Sequence, residues 1–349
     1  MKLKLKPDIC VPKNIVMNEI LQREAAITLV KDTFSRFLCD YLHLTKVSSP
    51  LIVLDGTGLN DDLNGIERPV SFPIKSLNEQ RAVVVHSLAK WKRVRLKELD
   101  VDTGRGILTD MRALRPDEDY SPIHSIYVDQ WDWEKHIDVA DRTLLYLKET
   151  VSAIFNALKE TEQIVYQYYA DMQPQLPEKI HFIHSEALLQ RYPRLSPKER
   201  ENAIAKEFGA VFIIGIGNKL SHGNPHDGRA ADYDDWSTEN EEGYKGLNGD
   251  IIVWHPILQS AFEISSMGIR VDKNALMRQL KEKNCEQKSS LPFHSNLLAG
   301  KLTESIGGGI GQSRLCMFLL RKSHIGEVQV SIWSAEEKKK MCEKGVVLL

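Results

Sequence analysis

The sequence predicts a single α+β domain on three observations: an apolar content sufficient for a core, one amphipathic helix near the start, and clustered short β-rich runs with helices unevenly interspersed. With 349 residues and 42% hydrophobic content, the chain can bury a core as one large or two ordinary domains. From Asn18 onward, Ile27, Val30, Phe34, Phe37, Leu38, Tyr41 and Leu42 recur at spacings of three and four, the pattern of an amphipathic helix with Asn18 as its N-cap. Residues 46–54 read as a strand that Pro50 restricts to an edge or an end. Further β-rich runs lie at 82–86, 124–133, 180–184, 211–215, 251–254 and 262–269. Between them 140–169 and 198–208 read as helices, and a last helix runs over about 311–320. The stretches 237–246 and 281–292 read as surface loops, and no internal repeat is present. Residues 1–17 are expected to form a flexible extension and 18–349 the folded domain.

Charge and composition narrow the function classes. Lys plus Arg (46) against Asp plus Glu (48) leaves a formal net charge of -2, without the positive excess that feeds a phosphate-backbone surface. Nucleic acid is therefore not an expected partner. The five cysteines, Cys10, Cys39, Cys285, Cys316 and Cys342, form no C-x-x-C pair, which favours a reducing compartment such as the cytoplasm. The longest apolar run, 209–217, is far below the roughly 18 residues of a spanning helix, so no membrane is expected. The opening MKLKLKPDICVPKN has no apolar signal core.

Two motifs carry the chemistry. No G-x-x-x-x-G-K-[ST] occurs, and neither glycine cluster completes a G-x-G-x-x-G spacing between strand and helix. What occurs instead is IGGGIGQSRLCMFLL over 306–320, a glycine run feeding an amphipathic helix with Arg314 in its first turn. Such a run lets a flat ligand approach the backbone, while helix N–H groups and a guanidinium attract phosphate oxygens. A tight turn between strand and helix explains the same residues without a ligand. The second motif is Arg115-Pro116-Asp117-Glu118 ahead of the 124–133 strand, where an arginine can grip an α-phosphate bidentately. Taken alone, it is as readily a surface ion pair.

Together with the helix and strand ending at Pro50, these residues resemble the three motifs of class II synthetases, in the same order. The blocks HSLAKWKR (86–93), ALRPDED (113–119), YVDQWDWE (127–134), DYDDWS (232–237), LNGDI (247–251) and SSMGIRVD (265–272) more specifically resemble ammonia-dependent asparagine synthetase. The resemblance covers about residues 18–333 and departs locally, at the N-terminal stretch and at a 55–62 loop (DGTGLNDD) two residues longer than the family's.

The resemblance implies a class II synthetase-like antiparallel sheet flanked by helices, in a homodimer that uses L-aspartate, ammonia, ATP and Mg²⁺. A carboxylate resists ammonia because oxide is a poor leaving group, so the family first converts the β-carboxylate to a mixed anhydride with AMP. Residue by residue, Arg115 matches the arginine at the reacting carboxylate and α-phosphate, with Gln130 sharing the face of Asp132 on strand alternation. Lys92 corresponds to the group holding the substrate α-carboxylate; Asp61 and Asp132 correspond to those taking its ammonium, with Asp61 also able to orient or deprotonate ammonia. Asp61 suits the loop role better than Asp62. Arg229, Asp234, Glu263 and Arg314 match positions lining ATP, Glu263 being the expected Mg²⁺ ligand, and Ser265, Ser266 and Arg270 complete the pocket floor.

Other clusters read more plainly. His222 and His226 flank Gly223, Asn224 and Pro225, which break the helix that a metal-binding pair at that spacing needs. The 336–340 run (EEKKK) reads as a solvated helix face. Three rival functions remain: an aspartyl- or asparaginyl-tRNA synthetase-like enzyme, a glutamine-dependent amidotransferase, and a catalytically silent aspartate and ATP sensor. The first needs a tRNA-reading module and the second a nucleophilic cysteine, whereas position 2 is Lys2. The third is disfavoured by the full polar set.

Overall fold

A computed structural model of the chain describes residues 13–63 and 67–349, with side chains from Asn18 onward. The first twelve residues of the expected extension lie outside the described residues. Helix α1 spans Lys13–Leu42, so Asn18 sits inside it and is not its N-cap. The apolar stripe is as expected: Ile27, Val30, Phe34, Leu38 and Leu42 are buried at helical spacing.

Pro50 does not lie within one strand but separates two, β1 (Leu44–Lys46) and β2 (Ile52–Leu54), which enter different sheets. Lacking an N–H, it breaks the pairing at the point where the chain changes sheet. Strands β3 (Ser71–Ile74) and β4 (Gln80–Val84) complete a three-stranded sheet in the order β2-β4-β3. Next come α2 (Ala89–Glu98), β5 (Gly106–Leu114), β6 (Tyr127–His136) and α3 (Leu144–Tyr168), which is capped by Thr143. They are followed by β7 (His181–His184), α4 (Ser185–Arg191), α5 (Pro197–Phe208) and β8 (Ala210–Ile214). Ser196 and Glu199 close a capping box on α5 with Pro197 at its first turn. The chain continues through β9 (Asn248–His255), β10 (Ser260–Ile269), α6 (Lys273–Glu282), α7 (Pro292–Leu298), β11 (Ser305–Gly311) and α8 (Gln312–Leu319). The helix at 311–320 is not the last, because α9 (Ala335–Glu343) follows and carries the EEKKK run.

The large sheet has eight strands in the order β1-β5-β6-β11-β10-β9-β8-β7. Its six central strands pair antiparallel, and β1 and β7 add parallel edges. This is the α+β class expected. The glycine run is its centre: β11 lies between β6 and β10, where a turn was the plain alternative. Side-chain alternation then divides the sheet into two faces. Trp131, Trp133, Phe212, Ile251, Val253, Met267 and Ile269 point to one face and pack against α1, α3 and α8. On the other face, α4 and α5 cover Val211, Ile213 and Ile252, while β2 and β4 cover Met111 and Ala113. Between those two covers, β6, β11 and β10 are left open. Among the described residues no helix is long and apolar enough to cross a membrane.

Candidate active site

The open stretch is the floor of a cavity of about 430 Å³. Arg115, Gln130, Asp61, Lys92, Asp132, Ser266, Arg270, Arg229, Asp234, Glu263 and Arg314 all line it. Residues spread over more than 250 positions of the chain, from Asp61 to Arg314, are thus brought to one concavity. One transverse row of the sheet organises the floor: Thr109, Asp132, Gly309, Ser266 and Asp250 are successive cross-strand partners on β5, β6, β11, β10 and β9. Gly309 is bare for a reason. A Cβ there would stand 2.6 Å from both Asp132 Oδ1 and Gln130 Oε1, so only glycine lets those side chains lie across the strand.

Ser265 is the exception. A bulge between Glu263 and Ser265 sets the phase of β10 so that Ser266 faces the cavity and Ser265 shares the core face with Met267 and Ile269. Its side chain is buried and its hydroxyl lacks a hydrogen-bond partner, so it does not belong to the pocket floor.

At one end of the row the start of α2 organises the acidic groups. Ser87 Oγ donates to Asp61 Oδ2 at 3.0 Å, and the Leu88 N–H donates to Asp132 Oδ2 at 3.2 Å. Asp61 faces the cavity, whereas Asp62 turns away to pair with Lys288 at 2.6 Å. The basic KWKR run is buried instead of solvated, because its heads are partnered. Lys92 donates to the Gly308 carbonyl at 2.8 Å and stands 3.5 Å from Asp132. Burial holds the Lys92 ammonium below its ordinary range, with Asp132 opposing, so a ligand carboxylate at this point would favour its charged form.

Beneath the cavity runs a buried chain of alternating charges. Arg270 grips Glu134 with two nitrogens and also pairs with Asp234; Arg229 lies 3.6 Å from Asp234 and donates to Asp250. Arg270 and Asp234 therefore face the cavity with their charges already matched, which makes them a rigid base instead of free ligand hooks.

The far end of the row is less neutral. Asp250 is pushed up to about 6 by burial, with Arg229 opposing and Glu263 adding to the rise. Ser266 Oγ bonds Asp250 Oδ1 at 2.7 Å and Glu263 Oε1 at 3.3 Å, so two carboxylates converge on one hydroxyl. Facing them, Arg314 lies 3.7 Å from Glu263 and donates to His124 Nε2 at 2.9 Å. Arginine only donates, so that nitrogen accepts and the proton sits on Nδ1, toward Ser121 Oγ. Burial, then Arg314, holds the His124 ring down at about 4, which keeps it neutral and able to accept. The start of α8 is not open to an anion throughout, because the Ser313 N–H already donates to Asp129 Oδ1.

Arg115 follows the end of β5 directly, in the connection to β6, and is not at a strand's start. Its Nη2 donates to the His86 carbonyl at 3.2 Å while its buried Nε has no partner, leaving donor capacity beside the cavity. Ser87, His124 and Asp250 are functional candidates that the sequence did not single out. Each lies inside or next to a motif block, and only Asp250 carried a signal, as the carboxylate of LNGDI.

The profile of the family described as aspartate-ammonia ligase (AsnA) matches residues 21–345. An aspartate–ammonia ligase of Parabacteroides distasonis is 56% identical over 94% of this chain and 95% of its own length. One from Clostridium perfringens is 54% identical over the same shares. Among solved structures, asparaginyl-tRNA synthetase of Entamoeba histolytica in complex with asparaginyl-adenylate superposes with a TM-score of 0.65 at 15% identity, over 93% of this chain and 71% of that one. The Pyrococcus horikoshii enzyme, also with asparaginyl-adenylate, gives 0.64 at 15% identity over 91% and 72%. These two share the fold, a class II synthetase sheet flanked by helices. With family match, close relatives and fold in agreement, the chain belongs to the aspartate–ammonia ligase family.

Proposed function

We propose that this protein makes L-asparagine from L-aspartate, ATP and ammonia through a β-aspartyl-adenylate, releasing AMP and pyrophosphate. The observation that carries the reading is the polarity of one sheet row: Asp132 with Asp61 and Lys92 at one end, Asp250 with Glu263, Arg229 and Arg314 at the other. An amino acid with an extra carboxylate needs two anions for its ammonium and a cation for its α-carboxylate, which is the first set. A nucleotide needs cations for its phosphates, which the second set supplies.

In this scheme Asp61 and Asp132 hold the substrate ammonium and Lys92 its α-carboxylate. Arg115 and Gln130 take the β-carboxylate as it attacks the α-phosphorus, and the Arg115 N–H groups stabilise the charge that develops there. Ammonia then forms the C–N bond, the bond to phosphate breaks with its electrons leaving on AMP, and the surplus proton passes to Asp61. Arg314, held by His124, and Arg229 face the nucleotide. Glu263 and Asp250 suit Mg²⁺, which typically takes one or two carboxylates and fills the rest of its shell with phosphate and water. Burial, with Glu263 adding to it, raises Asp250, and a divalent ion bound between the two carboxylates would relieve both effects. The ion supplies charge neutralisation of the phosphates when bound.

A homodimer in the cytoplasm is the assembled form this reading carries. What supports self-association is the outer face of the small sheet, where Ile52, Leu54 and Phe72 are each more than a third exposed. Sedimentation velocity tests it.

The reaction is tested with purified protein, aspartate, MgATP and an ammonium salt, following asparagine, AMP and pyrophosphate. Ammonium-dependent asparagine with equimolar AMP is the expected result. Pyrophosphate exchange without asparagine would leave adenylation standing and shift the acceptor to tRNA or another amine. No exchange from folded protein would overturn the proposal.

A further inference from the structure

A second, smaller cavity of about 140 Å³ lies behind the Asp61 segment, lined among others by Gly58, Asn60, Asp62, Lys90, Asp232 and His294. At several places, residues adjacent in the chain line one space and the other. Along 60–63, Asn60 and Asp62 line the small cavity while Asp61 and Leu63 line the large one. On α2, Lys90 faces the small cavity, and Ala89 and Lys92 face the large one; Asp232 and Tyr233 divide in the same way.

The small cavity contains a built polar site. Asp232 Oδ2 binds Lys90 Nζ at 2.9 Å and His294 Nε2 at 2.9 Å, and all three side chains are at most 2% exposed. A carboxylate only accepts, so Nε2 carries the proton, and in the neutral ring Nδ1 presents a lone pair. That Nδ1 is buried without a partner and stands 2.9 Å from where a Gly58 Cβ would be. A buried acceptor left unsatisfied is unfavourable and calls for a donor in the cavity. At about 30 Å³ per water-sized molecule, the space takes a few small guests and is too small for a nucleotide.

We infer that this cavity is a binding site for ammonia, whose N–H bonds to His294 Nδ1 and which is held behind the 60–62 segment that carries Asp61. The inference rests on the proposed reaction. With aspartate and ATP in the large cavity, the adjoining small cavity offers the third substrate a place of its own. The 60–62 segment is the side where a small cavity already adjoins the proposed proton acceptor. His294 acts here as a positioning group for the nucleophile; it touches neither aspartate nor ATP.

The test separates the two half-reactions in the full-length enzyme. Aspartate- and MgATP-dependent pyrophosphate exchange reports adenylation without ammonium, and asparagine formation against ammonium concentration reports the second step. His294→Leu removes the lone pair and keeps apolar bulk; His294→Phe, a ring of similar shape without the lone pair, decides the matter if the first variant does not melt cooperatively. The expected result is a KM for ammonium raised about tenfold, with exchange and the KM for aspartate within about twofold of wild type. An unchanged KM for ammonium means the cavity holds only water and overturns the inference. A parallel loss of exchange and amidation means that His294 serves the fold, which also overturns it. Wild-type protein without exchange removes the reaction scheme itself and this site with it.

Discussion

Asp132 and Asp250 lie in a single row of the sheet, with only Gly309 and Ser266 between them. Both lie on the same face of the sheet, one matched by Lys92 and the other by Arg229. The row sets the distance between an amino-acid end and a nucleotide end, and several outcomes depend on it.

Adding a single methyl in the middle of that row should disable the site. In Gly309→Ala the new Cβ lies 2.6 Å from Asp132 Oδ1 and Gln130 Oε1 and displaces both. Pyrophosphate exchange is expected to drop about 100-fold while the protein still melts cooperatively, as measured by calorimetry beside the kinetic assay.

Neighbouring aspartates should behave differently. Asp61→Asn is expected to slow asparagine formation by about 100-fold or more, the usual scale for losing a positioned proton acceptor. Asp62→Asn breaks only a pair with Lys288 in which Asp62 is half exposed, and should stay within about threefold of wild type. Equal losses in the two variants would contradict the orientation of the loop.

Magnesium dependence should itself depend on pH. The Asp250 carboxyl, raised to about 6, is protonated below that pH in the ligand-free protein and then no longer serves a cation. The Mg²⁺ concentration needed for half-maximal exchange is expected to rise as pH falls from 7 to 5. Asp250→Asn should raise it at every pH and flatten that profile.

Stability should fall on acidification below neutrality. His124 and His255 are each held down at about 4, mainly by burial, against an ordinary 6.5. The folded state thus disfavours their protonation, so their contribution is complete above pH 6.5 and is lost as pH falls toward 4. Urea titrations across that window should show a falling midpoint, and His255→Asn should reduce the slope.

Ser265→Ala tests the phase of β10. The hydroxyl is buried without a partner, so its removal should leave exchange unchanged and leave stability unchanged or higher by up to about 1 kcal/mol. Ser266→Ala, which strips a bond from both Asp250 and Glu263, should impair exchange instead.

How far the sequence reached follows from the kind of signal each element carries. The apolar stripe of α1 and the β-rich runs of β8 and β10 were legible because their side chains carry the period or the β-branched and aromatic content directly. β11 was not, since its run SIGGGIG has almost no side chains to alternate, and its strand state comes from pairing with β6 and β10. β5 also escaped notice, so Arg115 was read only against the strand that follows it and not against the one that ends just before it. Pro50 was read as restricting one strand to an edge or an end, whereas it separates two strands that enter different sheets.

For the site, the polar residue types and their order were present in the chain, and the cavity gathers every residue that the family resemblance named except Ser265. Which of two neighbours faces that cavity was a tertiary matter. Asp61 rather than Asp62 depends on Ser87 and Lys288 drawing them apart, and Ser266 rather than Ser265 depends on a bulge that shifts a period-two pattern by one. The pairing of Arg270 with Glu134 spans 136 positions, and that of Arg229 with Asp250 spans 21. A linear sequence states that such charges exist; only the folded sheet, by setting strands side by side in one register, decides which of them neutralise each other and which remain for a ligand.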